Sequence, residues 1–170
     1  RISVWRDPFN FPDANKSHQT RQSLYAIGSG GFLGLGLGNS RQKYLYLPEP
    51  QNDFIFAIVC EELGFIGCIT ALLLIVLITV RIIYVGKKSS EQSTNLICTG
   101  MAAMIIGQMI INVGMCLMLL PVIGITLPFF SAGGSSNLCV YLGIGIVMSI
   151  YRHNCDTGAV NIRVYDSLKK

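Results

Sequence analysis

The sequence predicts an all-α chain: a polytopic helical portion of a membrane protein, with about three transmembrane helices and an outward-facing polar loop. Three observations carry that expectation. Residues 92–151 contain no Asp, Glu, Lys, Arg or His, a stretch far longer than the roughly 20 apolar residues that one bilayer crossing needs. Charged residues make up only 13% of the chain while 51% are hydrophobic; a soluble domain carries about a quarter charged residues. Elsewhere in the apolar runs the charges are few, with Glu61, Glu62 and Arg81 standing inside the first. The net charge of +4 is small and scattered, which argues against a nucleic-acid partner. The chain begins at Arg1 without a signal-peptide pattern, so it reads as a portion of a larger protein with further spans upstream.

Taken in order, residues 1–53 are too polar to insert and read as an extracytoplasmic glycine-rich loop segment. Its glycines, GSGG at 28–31 and GLGLG at 34–38, do not fit GxGxxG, and no GK[ST] follows. A nucleotide loop is therefore disfavoured, and a flexible or closely packed loop is expected. The membrane region is expected at 54–152. Its first span runs from about Phe54 to Val85, interrupted only by Glu61, Glu62 and Arg81. A polar turn at 87–91 follows, then a second span from about Asn95 to Leu120 that stops at Pro121. An outward hairpin is expected at 121–136, where two prolines and a Gly-Gly pair break helix. The third span, about Asn137 to Tyr151, is short for a crossing unless residues 129–136 lie partly within the membrane. Residues 153–170 form the tail.

Cations near span ends set orientation. Arg81, Lys87, Lys88, Arg152 and Arg163 lie on the side of the turn and tail, against Arg41 and Lys43 close to the membrane on the loop side. The turn and tail are thus expected to be cytoplasmic, with Asp53 facing outward, although Arg1, Arg6, Lys16 and Arg21 narrow the margin. In the second span Gly100, Gly107 and Gly114 recur every seven residues and would let a neighbouring helix approach closely. Gln108 and Asn112 lie on an adjoining face and read as hydrogen-bonding glue between helices. The six cysteines form no CxxC pair and do not cluster with histidine, and five fall inside apolar runs and read as small apolar packers, with little sign of a metal or disulfide. His18 and His153 are isolated.

Asp53, at the start of the first span, is the leading chemical candidate. One reading makes it the helix N-cap; another makes it a site carboxylate at a membrane surface, where anionic ligands gather at helix N-termini. Glu61 and Glu62 lie roughly 12–14 Å further along the helix. Ionisable groups at that depth face protein or a water-filled cavity. Arg41 and Lys43 could neutralise a pyrophosphate or face lipid headgroups.

The segments QSLYAIGSGGFLGLGLGNSRQKYLYLPEPQNDFIFAIVCEELGFIG and LPFFSAGGSS strongly resemble the SEDS family, whose members include RodA, FtsW and SpoVE. The resemblance runs from about Arg21 to Arg152 and covers the C-terminal portion of such proteins. It implies a peptidoglycan glycosyltransferase that polymerises lipid II on the outer face of the bacterial cytoplasmic membrane, in elongation, division or sporulation. It implies Asp53 as the essential acidic residue of the LPE..xDF motif, with Gln22, Arg41, Lys43, Glu49, Ser135 and Ser136 as substrate-contacting positions. A class B penicillin-binding protein is the implied partner. No metal site is expected from the residues, although the implied chemistry admits a divalent cation, Mg or Mn. Division-type members often carry an acid where Leu45 stands and a lysine where Ile123 stands, and the family's usual tyrosine before GGSS is Ala132. These departures favour a RodA-like or sporulation-type member. Two readings from other classes stand beside the enzyme: a lipid II flippase, and a non-catalytic truncated fragment that only binds partners.

Overall fold

The computed structural model describes residues 14–40, 52–89 and 91–168, apart from the side chains of 14–20 and 156–168. Arg41, Lys43, Leu45 and Glu49 lie outside the described residues. Among the described residues the regular elements are four helices: α1 (Ala14–Ser29), α2 (Ile55–Lys88), α3 (Gln92–Cys116) and α4 (Gly134–Leu168). Among the described residues there is no strand. Three segments, α2, α3 and Gly134–Cys155 of α4, are long and apolar enough to cross a membrane. Helix is the form such segments must take, because hydrocarbon offers backbone N–H and C=O groups no other partner. The protein is an all-helical membrane protein.

The helix bounds differ from the apolar runs at two places. A 16-residue helix, α1, stands within the segment read as loop. It has little apolar content and takes its support from packing on α2 and α3, where Ser23 and Ala26 are fully buried. The third span starts at Gly134, so Ser135 and Ser136 belong to its first turn. Its 22 residues to Cys155 extend about 33 Å, enough for a hydrocarbon core of about 30 Å. Beyond Cys155 the backbone stays helical to Leu168.

Helices α2 and α3 pack as an antiparallel pair. Ile75, Thr79 and Ile82 on α2 and Cys98, Ala102 and Ile105 on α3 are buried, with Val147 of α4 joining the same core. Close approach depends on Gly86: a Cβ there would lie 2.6 Å from Cβ of Cys98. Among the described residues no helix packs on the glycine stripe of α3. Gly100 and Gly107 face open space among the described residues, and Gly114 packs on Leu120 of its own chain turn. A seven-residue spacing shows which face is smooth, but not which helix arrives there.

Helix α2 is not continuous. Gly64 sits at φ 69°, ψ −167°, which breaks the helix in its third turn. The glycine-rich loop enters the break and replaces the missing helical bonds. Leu35 N donates to Glu61 O (3.0 Å) and Gly36 N to Glu62 O (3.0 Å), while Phe65 N donates to Gly31 O (2.9 Å) and Ile66 N to Phe32 O (3.4 Å). These are the groups that an unbroken helix would have paired with one another. A Cβ on Gly34 would collide with the Glu62 carbonyl, so glycine is required where loop meets helix. The Phe32 and Phe65 rings pack edge to face, 6.1 Å apart, over the joint.

The break also corrects the reading of the cysteines as apolar packers. Cys60 and Cys68 are joined as a disulfide, with Cα atoms 5.4 Å apart. Eight residues of straight helix would separate them by about 12 Å, so only the Gly64 break brings them together.

Candidate functional site around Asp53

Asp53 lies in the turn before α2 and is half-buried. It is not the helix cap that its position suggested: Phe54 is the N-cap, and no side chain caps the helix. Phe54 O accepts from Ala57 N at 3.0 Å, so the backbone closes the first turn and leaves the Asp53 carboxylate out of it. That carboxylate lies against the hairpin. A Cβ built on Gly124, whose φ is +88°, would meet Asp53 Oδ2 at 3.1 Å. Only glycine takes this backbone conformation readily while leaving the oxygen room.

The residue that holds the arrangement is Asn112. It is fully buried near the end of α3. Its Nδ2 donates to Asp53 O at 2.9 Å and to Ile125 O at 2.6 Å. One amide therefore ties the start of α2, at Asp53, to the hairpin, at Ile125. Cys116, one turn on, places its Sγ 3.8 Å from the same Asp53 carbonyl. Cys116 O in turn accepts from Ser23 Oγ of α1 at 3.2 Å. Four pieces of chain thus meet at the last turn of α3. Asn112 had been weighed with Gln108 as helix glue, and glue it is, but with Asp53 as one of the surfaces joined.

The hairpin is built to keep its shape. Ile123 N donates to Met115 Sδ (3.0 Å), Leu127 N to Ser131 Oγ (2.7 Å), and Asn137 Nδ2 to Ser131 O (2.7 Å). Ser136 Oγ shares a 2.7 Å hydrogen bond with Thr126 Oγ1, which spans the hairpin from the first turn of α4. Ser135 is exposed on that turn. Gln22 is half-buried on α1 beside Ser23, the residue that reaches α3.

Glu61 and Glu62 are set apart from this site, at the α2 break. Glu61 is 1% exposed, and Ser40 Oγ donates to its Oε2, which fastens the far end of the glycine loop. Glu62 Oε1 is enclosed without a hydrogen-bond partner among the described residues, as is Gln108 Oε1. No group of three His, Cys, Asp or Glu able to hold a metal occurs among the described residues. The site as described offers a divalent ion one carboxylate, Asp53.

Comparisons with known proteins agree on one family. The model of the FtsW, RodA and SpoVE family, described as "Cell cycle protein", matches residues 1–156. Stage V sporulation protein E of Bacillus subtilis (strain 168) is 44% identical over 153 residues, which are 90% of this chain and 40% of that protein. The probable peptidoglycan glycosyltransferase FtsW of Thioalkalivibrio sp. (strain K90mix) is 41% identical over 155 residues, 89% of this chain and 38% of that protein. A solved structure described as "Structural coordination of polymerization and crosslinking by a peptidoglycan synthase complex" matches with a TM-score of 0.69 at 27% identity, over 91% of this chain and 41% of that chain. The chain therefore spans about two fifths of the length of these relatives. With nearly its whole length matched and the helical arrangement shared, the chain belongs to the FtsW/RodA/SpoVE family.

Proposed function

We propose that the complete protein is a peptidoglycan glycosyltransferase that polymerises lipid II at the outer face of the bacterial cytoplasmic membrane, with Asp53 as its general base. The carrying observation is the placement of Asp53: its carboxylate is excluded from helix capping and set against Gly124, and its backbone carbonyl is tied to the hairpin through Asn112. A base must be held in one geometry to take a proton in the transition state. Asp53 removes the proton of the acceptor sugar's 4-hydroxyl as that oxygen forms its bond to the donor's anomeric carbon. The bond from that carbon to the lipid pyrophosphate breaks, and the pyrophosphate leaves with the electron pair. Arg41 and Lys43 neutralise the leaving charge, and Gln22, Glu49, Ser135 and Ser136 contact substrate. Asp53 is the carboxylate that the described part of the site would lend a Mg or Mn ion, which would neutralise charge on the pyrophosphate.

The relatives named as peptidoglycan glycosyltransferase, and the solved relative in a peptidoglycan synthase complex, support this reading. The crosslinking named for that complex supports a crosslinking partner, which we propose is a class B penicillin-binding protein. The departures at Leu45, Ile123 and Ala132 carry the preference for a RodA-like or sporulation-type member. Ile123 adjoins Gly124, so a lysine there would bring a cation to the hairpin beside Asp53.

The test is polymer formation from lipid II by the complete protein in detergent, where no leaflet exists to cross. Wild type is expected to make glycan polymer, and Asp53→Asn to make about a thousandth as much or less, as for loss of an effective base, with unchanged thermal stability. Near-normal polymer from Asp53→Asn removes the base assignment. Wild-type protein that moves lipid II across vesicles and makes no polymer in detergent is a flippase instead.

A further inference from the structure

At the other end of the helices a second feature has no part in this chemistry. A groove of about 460 Å³ lies between α2 and α4, walled by Leu77, Ile78, Ile82, Ile144, Val147 and Met148. At its mouth it shares Arg81, Val85 and Tyr151 with a smaller polar hollow of about 100 Å³ that also includes Lys88 and Asn154. Among the described residues no carboxylate lines either space. Asn154 Nδ2 is buried there without a hydrogen-bond partner among the described residues, an arrangement that proteins seldom leave unsatisfied. The Arg81 guanidinium lies 5.8 Å from the centre of the Tyr84 ring, which limits where the cation can point. Arg81 lies 17 positions beyond the Gly64 break, about 25 Å of uninterrupted helix, so the hollow sits toward the membrane surface opposite the candidate active site.

We propose that groove and hollow together form a binding site for an anionic phospholipid. One acyl chain fills the apolar groove. The phosphate sits at the hollow, where Arg81 and Lys88 supply charge-assisted hydrogen bonds and Asn154 Nδ2 gains its missing acceptor. Two cations, with no carboxylate among the described lining residues, select a headgroup of net negative charge over a zwitterionic one. Arg81 leaves the apolar part of α2 with its stem along the groove and its charge at the surface, as long cationic side chains do near span ends. Tyr84 and Tyr151 stand at the same level, where aromatic residues with polar tips are favoured.

The experiment uses the complete protein in detergent with phosphatidylglycerol or phosphatidylcholine added, and native mass spectrometry to count retained lipid. Wild type is expected to retain phosphatidylglycerol in preference by roughly ten- to thirtyfold, the effect of two interfacial cations. Arg81→Gln with Lys88→Gln should abolish that preference. Lys87→Gln with Arg152→Gln removes equal charge outside the hollow and should keep the preference within about threefold. Equal losses in the two pairs, or no loss in either, overturn the proposal. A second arm leaves every cation in place. Tryptophan substituted at Met148 should be quenched more by brominated phosphatidylglycerol than by brominated phosphatidylcholine in mixed vesicles. Equal quenching overturns a selective site, and no quenching by either lipid shows the groove covered by protein, which overturns it as well.

Discussion

Asn112 shows how one uncharged residue in an apolar span can organise a site. Its amide bridges the carbonyls of Asp53 and Ile125, and no water is expected to reach a side chain so fully enclosed. Replacing it with leucine keeps most of the volume and leaves two carbonyls unpaired, at roughly 1–3 kcal/mol each. Asn112→Leu is therefore expected to lower kcat for polymerisation about ten- to a hundredfold, while KM for lipid II changes by less than about threefold, since substrate contacts are untouched. Steady-state kinetics of the complete protein check this; a change confined to KM would place Asn112 in substrate binding. Asp53 itself was legible from its motif and its position before an apolar run. Its freedom from capping was not, because sequence cannot show that Phe54 and the backbone close the first turn. Glu61 and Glu62 read alike in sequence. The fold separates them, giving Glu61 a partner in Ser40 and leaving Glu62 Oε1 enclosed.

At the scale of elements, the broken α2 and the glycine loop form one unit. Neither half satisfies its own backbone, and four cross-bonds complete both. Gly64→Ala tests the unit, because alanine at φ 69° is strained and its Cβ would lie 2.7 Å from Phe32 O. The cost is expected at about 1–3 kcal/mol, released by detachment of the loop. Hydrogen exchange at the amides of Leu35 and Gly36 should accelerate about five- to a hundredfold, since these are the donors to Glu61 and Glu62. Unchanged protection would show that the loop is held by something else. The loop's glycine content was plain in sequence, and close packing was one of its two readings. Its docking partner was hidden, because Gly64 looks like any tolerated glycine in an apolar helix until the chain that enters the break is known. The Cys60–Cys68 pair was hidden for the same reason.

For the whole molecule, the cations gathered at 81–88 and at Arg152 predict a cytoplasmic turn and tail, with Asp53 and the hairpin outside. A cysteine at Ser89, in a complete protein whose native accessible cysteines are removed, should stay unlabelled by an impermeant thiol reagent in intact cells and react after permeabilisation. Labelling in intact cells would invert the topology and place Asp53 on the cytoplasmic side. The sequence by itself determined the membrane class, the three spans and the family, because each rests on the local cost of placing charge or unpaired backbone in hydrocarbon, or on motifs read in linear order. Only the tertiary structure decided what meets at Asp53. Asn112 lies 59 positions from the carbonyl it holds, and Gly124 touches Asp53 through a turn whose shape depends on Met115 and Ser131. Contacts of that range follow from how helices pack and where chain can pass between them, and no local pattern of residues encodes the result.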